Sequence, residues 1–356
     1  MHSSPGRTKG ERLLLALHLV AFALVVLVGV WHEEPGGRLL GTHFTSSVSF
    51  EDDSMALACN GAALLCDRRV DEVTFAATHN SMSSQADGWL WPNQATGIRG
   101  QLESGIRGFL IDAHYWESPG MGAFLLARVP SNLRLAFLSH VVRLHPSDVY
   151  LCHHICAAGA TRLTDSLREV DVYLDAHPDQ VVILDIEDHV LPADAERSFR
   201  ESSLLDRVYV HELGTPWPTL RELITQRRQV IVQAENAGRA NTWYGPMYRE
   251  AWDTSYHVEA GESFSCARER GHTSQSLLLL NHWISRNTPS TADAARVNSE
   301  SALLEHVEAC VTTTGKTPNL LAVDFAAVGD LLATVAKLNG VLPEPSPSLV
   351  SADPAQ

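Results

Sequence analysis

Short apolar runs recur along the chain between residues 59 and 340, and most of them end in polar or ionisable residues. Stretches with helical spacing of apolar positions separate these runs, and the clearest covers residues 162–176. This alternation predicts a βα fold with a mainly parallel sheet. The runs that end in this way are VTFAATHN, GIRGFLIDAH, DVYLCHH, VVILDIED, QVIVQAEN, LLLLNHW and NLLAVDF.

The polar or ionisable residues at the ends of these runs predict one polar face of the folded domain. A parallel barrel collects the carboxyl ends of its strands on one side, and barrel enzymes carry their active sites there. The pattern therefore favours a closed or slightly irregular (β/α) barrel. An open doubly wound sheet also fits the alternation, but no Gly-rich phosphate loop follows the first run.

The region before the folded part contains an apolar segment of bilayer length, residues 13–31, which follows Arg7, Lys9 and Arg12. Basic residues on its amino-terminal side predict that residues 1–12 are cytoplasmic and that the rest of the chain is not. We therefore predict a single-pass protein that meets the membrane through this helix. A cleaved signal peptide, and hence secretion, is the alternative.

The remaining domain boundaries follow from composition. Residues 32–58 lack periodicity and are predicted to be a stalk, whereas 59–340 are predicted to form the catalytic barrel. The proline-rich end, 341–356, is predicted to be disordered.

Cysteine number and net charge narrow the class of protein. Six cysteines outside the cytoplasm suggest disulfides, although six allow 15 connectivities. A formal charge of −15 argues against a nucleic-acid partner. Proximity in sequence favours the pairs Cys59 with Cys66, Cys152 with Cys156, and Cys266 with Cys310.

The strand ends bring together residues that suit phosphodiester cleavage. This chemistry needs a base for the attacking hydroxyl, an acid for the leaving oxygen and positive charge facing the phosphate. His79 and His153 end separate runs and can supply the acid and the base. Alternate residues of a strand share a face, so the runs also present two pairs of polar side chains, Asp112 with His114 and Asp185 with Glu187.

Four segments together resemble a known family. They are ATHNSM at 77–82, QLESGIRGFLIDAH at 101–114, LCH at 151–153 and HPDQVVILDIEDH at 177–189. In this order and spacing they resemble the X domain of phosphatidylinositol-specific phospholipase C. The chain is similar to a secreted or membrane-anchored subgroup found in bacteria and plants.

The resemblance implies a distorted (β/α) barrel of the TIM type that cleaves an inositol phospholipid, or a related phosphodiester, through a cyclic phosphodiester. It implies His79 as the general base and His153 as the general acid. It also places Asn80, Asp112 and Glu187 where calcium-dependent members hold Ca²⁺, for which oxygen ligands are suitable.

Two positions depart from the family pattern. Calcium-dependent members carry a second acid where this chain has Leu110, and calcium-independent members carry a phosphate-facing arginine where it has His114. We expect a Ca²⁺ ion held by Asn80, Asp112 and Glu187, with Asp185 and His114 as substrate or phosphate contacts.

Three alternatives stay open. A glycerophosphodiesterase or a sphingomyelinase D-like enzyme would share the barrel and the histidine pair. A catalytically inactive binding barrel would account for the incomplete phosphate-facing set. In the loop after His79, the two tryptophans Trp89 and Trp91 either enter a membrane interface or cover the barrel mouth. The sequence does not indicate an oligomeric state.

Overall fold

Parallel strands form the wall of an incomplete barrel. The computed structural model describes residues 57–116, 148–153 and 155–341. Among these residues the strands are β1 Phe75–Thr78, β2 Gly108–Tyr115, β3 Val149–Leu151, β4 Thr161–Arg162, β5 Val182–Asp188, β6 Val208–Tyr209, β7 Val230–Ala234, β8 Gly245–Pro246, β9 Ala251–Asp253, β10 Leu277–His282 and β11 Leu320–Val323.

Helices cover the outside of this wall. The α-helices are α1 Ile98–Ser104, α2 Leu163–Ala176, α3 Pro192–Glu201, α4 Leu220–Thr225, α5 Met247–Glu250, α6 Thr291–Val297, α7 Glu300–Thr314 and α8 Leu331–Leu338. Short 3₁₀ helices lie at Cys59–Gly61, Ala63–Leu65, Val70–Glu72, Cys156–Ala158 and Leu204–Arg207.

The strand order is β6-β7-β5-β2-β1-β11-β10-β9, and every neighbouring pair on this path is parallel. β7 also pairs with β8 at its carboxyl end. Among the described strands, no ladder joins β9 to β6 or β8, so the barrel is curled but open at that point. The predicted distorted (β/α) barrel of the TIM type is thereby confirmed.

One strand runs against the predicted direction. We expected the run that ends in LCHH to be a further parallel strand, but β3 is antiparallel to both β2 and β4. Its register pairs Leu151 with Ala113, and the next amide, of Cys152, donates to the carbonyl oxygen of Asp112 at 3.1 Å. His153, which follows β3, therefore reaches the mouth of the barrel from a strand that runs in the opposite direction to β2.

The two-residue repeat of the strands separates two cores. Residues such as Phe75, Ile183, Ile231 and Leu279 belong to one cluster, which fills the barrel interior. Residues of the opposite phase, such as Leu184, pack with the helices in a second cluster. Interior positions turn from apolar to polar towards the carboxyl ends of the strands, which confirms the predicted polar face.

The clearest predicted helix is present. The sequence indicated a helix over residues 162–176, and α2 covers Leu163–Ala176 with Arg162 as its amino-terminal cap residue. It buries Leu163, Leu167, Val170 and Leu174, the residues whose spacing predicted it. The strand after it, predicted from Val181, forms as β5.

Three disulfides join the pairs that proximity suggested, namely Cys59–Cys66, Cys152–Cys156 and Cys266–Cys310. The described chain has no free cysteine. The last of these bonds ties the loop between β9 and β10 to α7. The other two close short loops beside the barrel.

The predicted single-pass membrane localisation is corrected by the helices that the structure describes. None of them is long and apolar enough to cross a bilayer, and the longest, α7, has 15 residues. A bilayer span needs about 20 apolar residues. The segment proposed as the span, 13–31, lies outside the described residues, as do positions 1–12, most of the predicted stalk and the predicted tail from 342 onward.

A buried pair of histidines lies behind the barrel wall. His282, at the end of β10, and His306, on α7, face each other with their Nδ1 atoms 2.9 Å apart. His282 Nε2 is 2.8 Å from the carbonyl oxygen of Val297, and Phe264 stacks on both rings. Burial lowers the pKa of His282 to about 3 and that of His306 to about 4. His282 therefore belongs to the core rather than to the polar face.

We expect this pair to make the fold sensitive to acid. In the unfolded chain each ring takes up a proton near pH 6.5, whereas the folded protein keeps both rings neutral until a much lower pH. Above about pH 6.5 the rings are neutral in both states, and their titration does not affect stability. As the pH drops from there towards 4, the free energy of unfolding falls by up to about 1.4 kcal/mol per pH unit for each ring, because only the unfolded chain takes up the protons. Urea unfolding between pH 7.5 and 4.5 measures this slope.

His306→Gln should make the free energy of unfolding less dependent on pH, because it removes one of the two rings. His272→Gln is the matched control, since His272 is exposed and contacts only its own turn through Ser274. Equal slopes for the wild type and His306→Gln would contradict the prediction.

Candidate active site

A large cavity opens at the carboxyl ends of the strands. Its volume is about 1290 Å³, and residues at or just after the ends of β1, β2, β5, β7, β10 and β11 line it. Of the residues that the sequence analysis placed on this face, His79, Asp112, Asp185 and Glu187 have the interior phase of their strands and line the cavity. The cavity therefore lies where the strand-end pattern predicted a site.

His79 is held in position by the two strands beside it. Its amide donates to the carbonyl oxygen of Val323 at 3.0 Å and so continues the ladder between β1 and β11. Its ring Nδ1 lies 2.9 Å from Oδ1 of Asp324, the residue that follows β11. Asn93 donates through Nδ2 to the same oxygen at 3.0 Å. Asp324 thus fixes the ring with Nδ1 towards the wall, and Nε2 becomes the nitrogen for proton exchange.

Trp283 makes a further contact with the ring of His79. The indole, one residue beyond β10, stacks on the imidazole with a centroid distance of 3.8 Å and an angle of 3° between the rings. The stacked indole fixes the orientation of the imidazole.

His153 has its own carboxylate. Its Nδ1 lies 2.8 Å from Oδ2 of Asp112, whose carboxylate is nearly buried. Burial lowers the pKa of His153, but the hydrogen bond with Asp112 and the nearby negative charges outweigh burial, so the pKa is raised above its usual value. A histidine with a raised pKa keeps its proton near neutral pH, which suits a general acid.

The two imidazoles face each other. Their centroids are 6.5 Å apart and their planes are nearly perpendicular, at 81°. At this separation one small group can contact both rings. Two imidazoles in this arrangement can exchange protons with a group bound between them.

The predicted calcium ligands lie near one another but do not form a closed cage. Asp112 and Glu187 are register partners on β2 and β5, whereas Asp185 is paired with Leu110, one layer deeper. Each of the two outer carboxylates already bonds a histidine, Glu187 doing so with His189 at 2.7 Å. Among the described His, Cys, Asp and Glu residues, only one group of three converges closely enough for a metal, and it contains a disulfide.

The other predicted site residues are placed as follows. Asn80 is buried, lines the cavity and adopts a left-handed backbone conformation with φ of 45°, which asparagine tolerates better than most residues. Asp185 also lines the cavity and is buried. His114 stacks on His189 at 4.4 Å, and of these two rings it is His189 that lines the cavity.

The tryptophans of the loop after His79 differ in exposure. Trp89 is 8% exposed and packs on Gly159, where a Cβ atom would lie 2.3 Å from the indole. Trp91 is 38% exposed at the cavity mouth. Trp89 is therefore a cover for the barrel mouth, and only Trp91 is available to a surface outside it.

Sequence reasoning missed three residues of the site. Asp324 and Trp283 follow recognised strand runs and share their inward phase, so a signal was present, but their contact with His79 depends on the order of strands in the sheet. Arg270 lies in a long loop without any pattern and was not considered. The structure brings it into the cavity, where it bonds Glu235 at 2.7 Å and also Asp253.

Comparison with known sequences shows which family the chain belongs to. The profile of the PI-PLC X family matches residues 131–339, more than half of the chain. This range contains His153, Glu187 and Asp324, whereas His79 and Asp112 precede it. A PI-PLC X domain-containing protein from the fungus Arthroderma benhamiae is 26% identical over 333 residues, which cover 86% of this chain and 96% of that protein.

A PI-PLC X domain-containing protein from Arabidopsis thaliana is 22% identical over 76% of the chain, and the chain spans 62% of its length. A protein of A. benhamiae named only as an uncharacterized secreted protein is 25% identical over 85% of the chain.

Among solved structures, a mutant of phosphatidylinositol-specific phospholipase C from Staphylococcus aureus superposes with a TM-score of 0.45 and 12% identity. The match covers 77% of this chain and 95% of that structure. The family profile and the curled parallel sheet give the chain a fold of the phosphodiesterase type. The chain belongs to the PI-PLC X family.

We expect Asp112→Asn to lower the pKa of His153. The substitution keeps the size of the side chain but removes the negative charge that favours the imidazolium form. Titration of the His153 ring by NMR, in buffer that contains EDTA, measures the change. Asp194→Asn is the matched control, because that carboxylate bonds Tyr115 and Arg197 on the outer surface. An unchanged His153 titration would contradict the role assigned to Asp112.

Proposed function

We propose that the protein is a phosphodiesterase of the phosphatidylinositol-specific phospholipase C type, which cleaves an inositol phospholipid or a related phosphodiester. The observation that carries this proposal is the pair of imidazoles 6.5 Å apart, each held through Nδ1 by its own carboxylate. A binding barrel has no need for two histidines oriented in this way.

In the proposed reaction, His79 Nε2 takes the proton of the hydroxyl next to the phosphate on the headgroup ring. The hydroxyl oxygen then bonds to phosphorus, and the bond between phosphorus and the lipid oxygen breaks. His153 gives its proton to that oxygen, which leaves as an alcohol. The product on the headgroup is a cyclic phosphodiester, and water can open it by the reverse proton transfers.

The carboxylates of this site act as positioning groups. Asp324 orients His79 through its Nδ1 atom, and Asp112 keeps the proton on His153 before it is given away. If Ca²⁺ binds at Asn80, Asp112 and Glu187, it would supply positive charge facing the phosphate. None of the proton transfers above passes through the ion.

The three disulfides support action in an oxidising compartment outside the cytoplasm. A relative named as a secreted protein supports the same assignment.

His79→Ala and His153→Ala should each lower kcat by about 10²–10⁴-fold, because general acid and base catalysis contribute this much. Asp324→Asn should also lower kcat, with little change in KM, because it removes the charge that orients His79. Hydrolysis of phosphatidylinositol followed by phosphorus NMR measures the rate and identifies the cyclic product.

His272→Ala, which removes an exposed histidine outside the cavity, is the control and should keep the wild-type rate. A His79→Ala variant with wild-type turnover would contradict the proposal. Hydrolysis without any cyclic inositol phosphate would favour a glycerophosphodiesterase.

A calcium site at Asn80, Asp112 and Glu187 makes a separate prediction. Ca²⁺ should raise the melting temperature and the rate of hydrolysis, EDTA should reverse both effects, and Asn80→Ala should abolish the thermal shift. Full activity in EDTA together with no thermal shift on adding Ca²⁺ would contradict calcium binding.

A further inference from the structure

The disulfide between Cys266 and Cys310 lies against the buried histidine pair. One ring nitrogen of His306 and the two Sγ atoms lie within 4.8 Å of one another. His306 and Cys310 are four residues apart on α7, so one turn of the helix presents both side chains on the same face. Cys266 reaches them from the loop between β9 and β10. Three side chains that can bind a metal therefore converge at a point that is not part of the lining of the barrel cavity.

The hydrogen bonds of the histidine pair decide which nitrogen of His306 carries the lone pair. The carbonyl oxygen of Val297 can only accept, so Nε2 of His282 donates to it, and Nδ1 of this neutral ring has the lone pair. The contact between the two Nδ1 atoms then requires His306 to donate from Nδ1. In the neutral ring of His306 the lone pair therefore lies on Nε2.

Nε2 of His306 is a buried acceptor without a donor. The residue is 5% exposed, and this atom has no hydrogen-bond partner of normal geometry among the residues that the structure describes. The backbone of Ser265 lies near the ring and favours its protonated form, but it does not make such a bond. A structural disulfide does not need an imidazole beside it, and a buried acceptor that is left unpaired is costly. A metal ion bound at Nε2 would satisfy this atom.

The surroundings suit a metal complex without net charge. Cys310 and His282 are completely buried, and Phe264 stacks on both imidazoles, with ring centroids 3.9 and 5.0 Å away. An isolated charge in such a place is costly. Zn²⁺ bound by two thiolates and one neutral imidazole has no net charge, so this complex avoids that cost.

The ligand atoms and their spacing are typical of zinc. Zn²⁺ binds thiolate sulfur at about 2.3 Å and imidazole nitrogen at about 2.0–2.1 Å, which places the ligand atoms of a tetrahedral site about 3.3–3.8 Å apart. A histidine that binds a metal generally donates its other ring N–H to an acceptor, which fixes the ring. His282 is that acceptor for His306, and its own ring is fixed by Val297.

We propose that Cys266, Cys310 and His306 form a zinc site that is available only when the disulfide is reduced. His282 is a positioning residue that holds His306 through the contact between their Nδ1 atoms. In the oxidised chain the S–S bond ties the loop between β9 and β10 to α7. In the reduced chain the zinc ion ties the same two segments together. The three protein ligands leave a fourth coordination position for water.

The exchange between the two forms balances with a dithiol as the reductant. The dithiol gives two electrons and two protons to the disulfide, the S–S bond breaks, Cys266 and Cys310 become thiols, and the dithiol becomes a disulfide. Zn²⁺ then displaces both thiol protons to solvent and bonds to the two sulfur atoms and to Nε2 of His306. A disulfide oxidant reverses the sequence and releases the zinc ion.

Cobalt binding to the reduced protein tests the proposal. Co²⁺ takes the place of Zn²⁺ in such sites, and a thiolate ligand gives it a charge-transfer absorption that carboxylate and imidazole ligands do not give. We expect the protein reduced with a phosphine to bind Co²⁺ with this absorption, and Zn²⁺ to displace the cobalt. The oxidised protein should not show the absorption, because both sulfur atoms are then in the disulfide.

Variants locate the ion. In the reduced protein Cys310→Ser and His306→Gln should each weaken Co²⁺ binding about 100-fold or more, and His282→Gln about tenfold or more, since loss of an outer partner alone costs about 10–100-fold. Cys59→Ser removes a thiol of another disulfide pair, and His272→Gln removes an exposed imidazole. These two matched controls should keep the wild-type affinity.

A second readout separates folded protein from unfolded chains that bind metal through their cysteines. Zn²⁺ should raise the melting temperature of the reduced wild type, followed by circular dichroism, by more than that of reduced His306→Gln. The proposal is overturned if the reduced wild type shows no thiolate charge transfer, or if Cys310→Ser or His306→Gln binds Co²⁺ as tightly as the wild type. It is also overturned if zinc shifts both melting temperatures equally, or if the reduced chain stays unfolded with zinc present. None of these measurements depends on hydrolysis, so their outcome is independent of the proposed function.

Discussion

The two-residue repeat of parallel strands in a curled sheet is the constraint on which the rest of this structure depends. Because alternate side chains face the interior, one phase of each strand fills the barrel and the other packs against helices. Along the inward phase the residues change from apolar to ionisable, as from Phe75 through Ala77 to His79. A shift of one residue in any strand would bury its acid or imidazole among leucines and place its apolar residues in the cavity.

Two histidine–carboxylate pairs are the chemical result of that constraint. Each histidine comes from one strand end and its carboxylate from a neighbouring strand, so the hydrogen bond exists only if the two strands are adjacent and in register. The pair of His79 with Asp324 joins β1 to the last strand, and the pair of His153 with Asp112 joins β2 to the antiparallel β3. The site therefore forms only when the strands of the sheet have paired in this order and register.

The ionisable groups at the rim of the cavity differ from those deeper inside. At its rim the imidazoles and a raised pKa at His153 suit proton transfer to a leaving oxygen. Deeper inside, three carboxylates share one guanidinium, and Asp185 is left with an acceptor oxygen unmatched by any described residue.

The sequence by itself determined the local features. Alternation and helical spacing predicted the strand ends, α2 and the barrel, and proximity predicted the disulfides, because these depend on residues close together in the chain. Only the tertiary structure decided which distant residues meet. It paired His79 with Asp324 across 245 positions, reversed β3, buried Trp89 while leaving Trp91 at the mouth, and brought Arg270 into the cavity from an unpatterned loop. The reason is that packing of the whole sheet sets the order and direction of the strands. The local pattern of polar and apolar residues in one strand does not indicate which other strand will lie next to it.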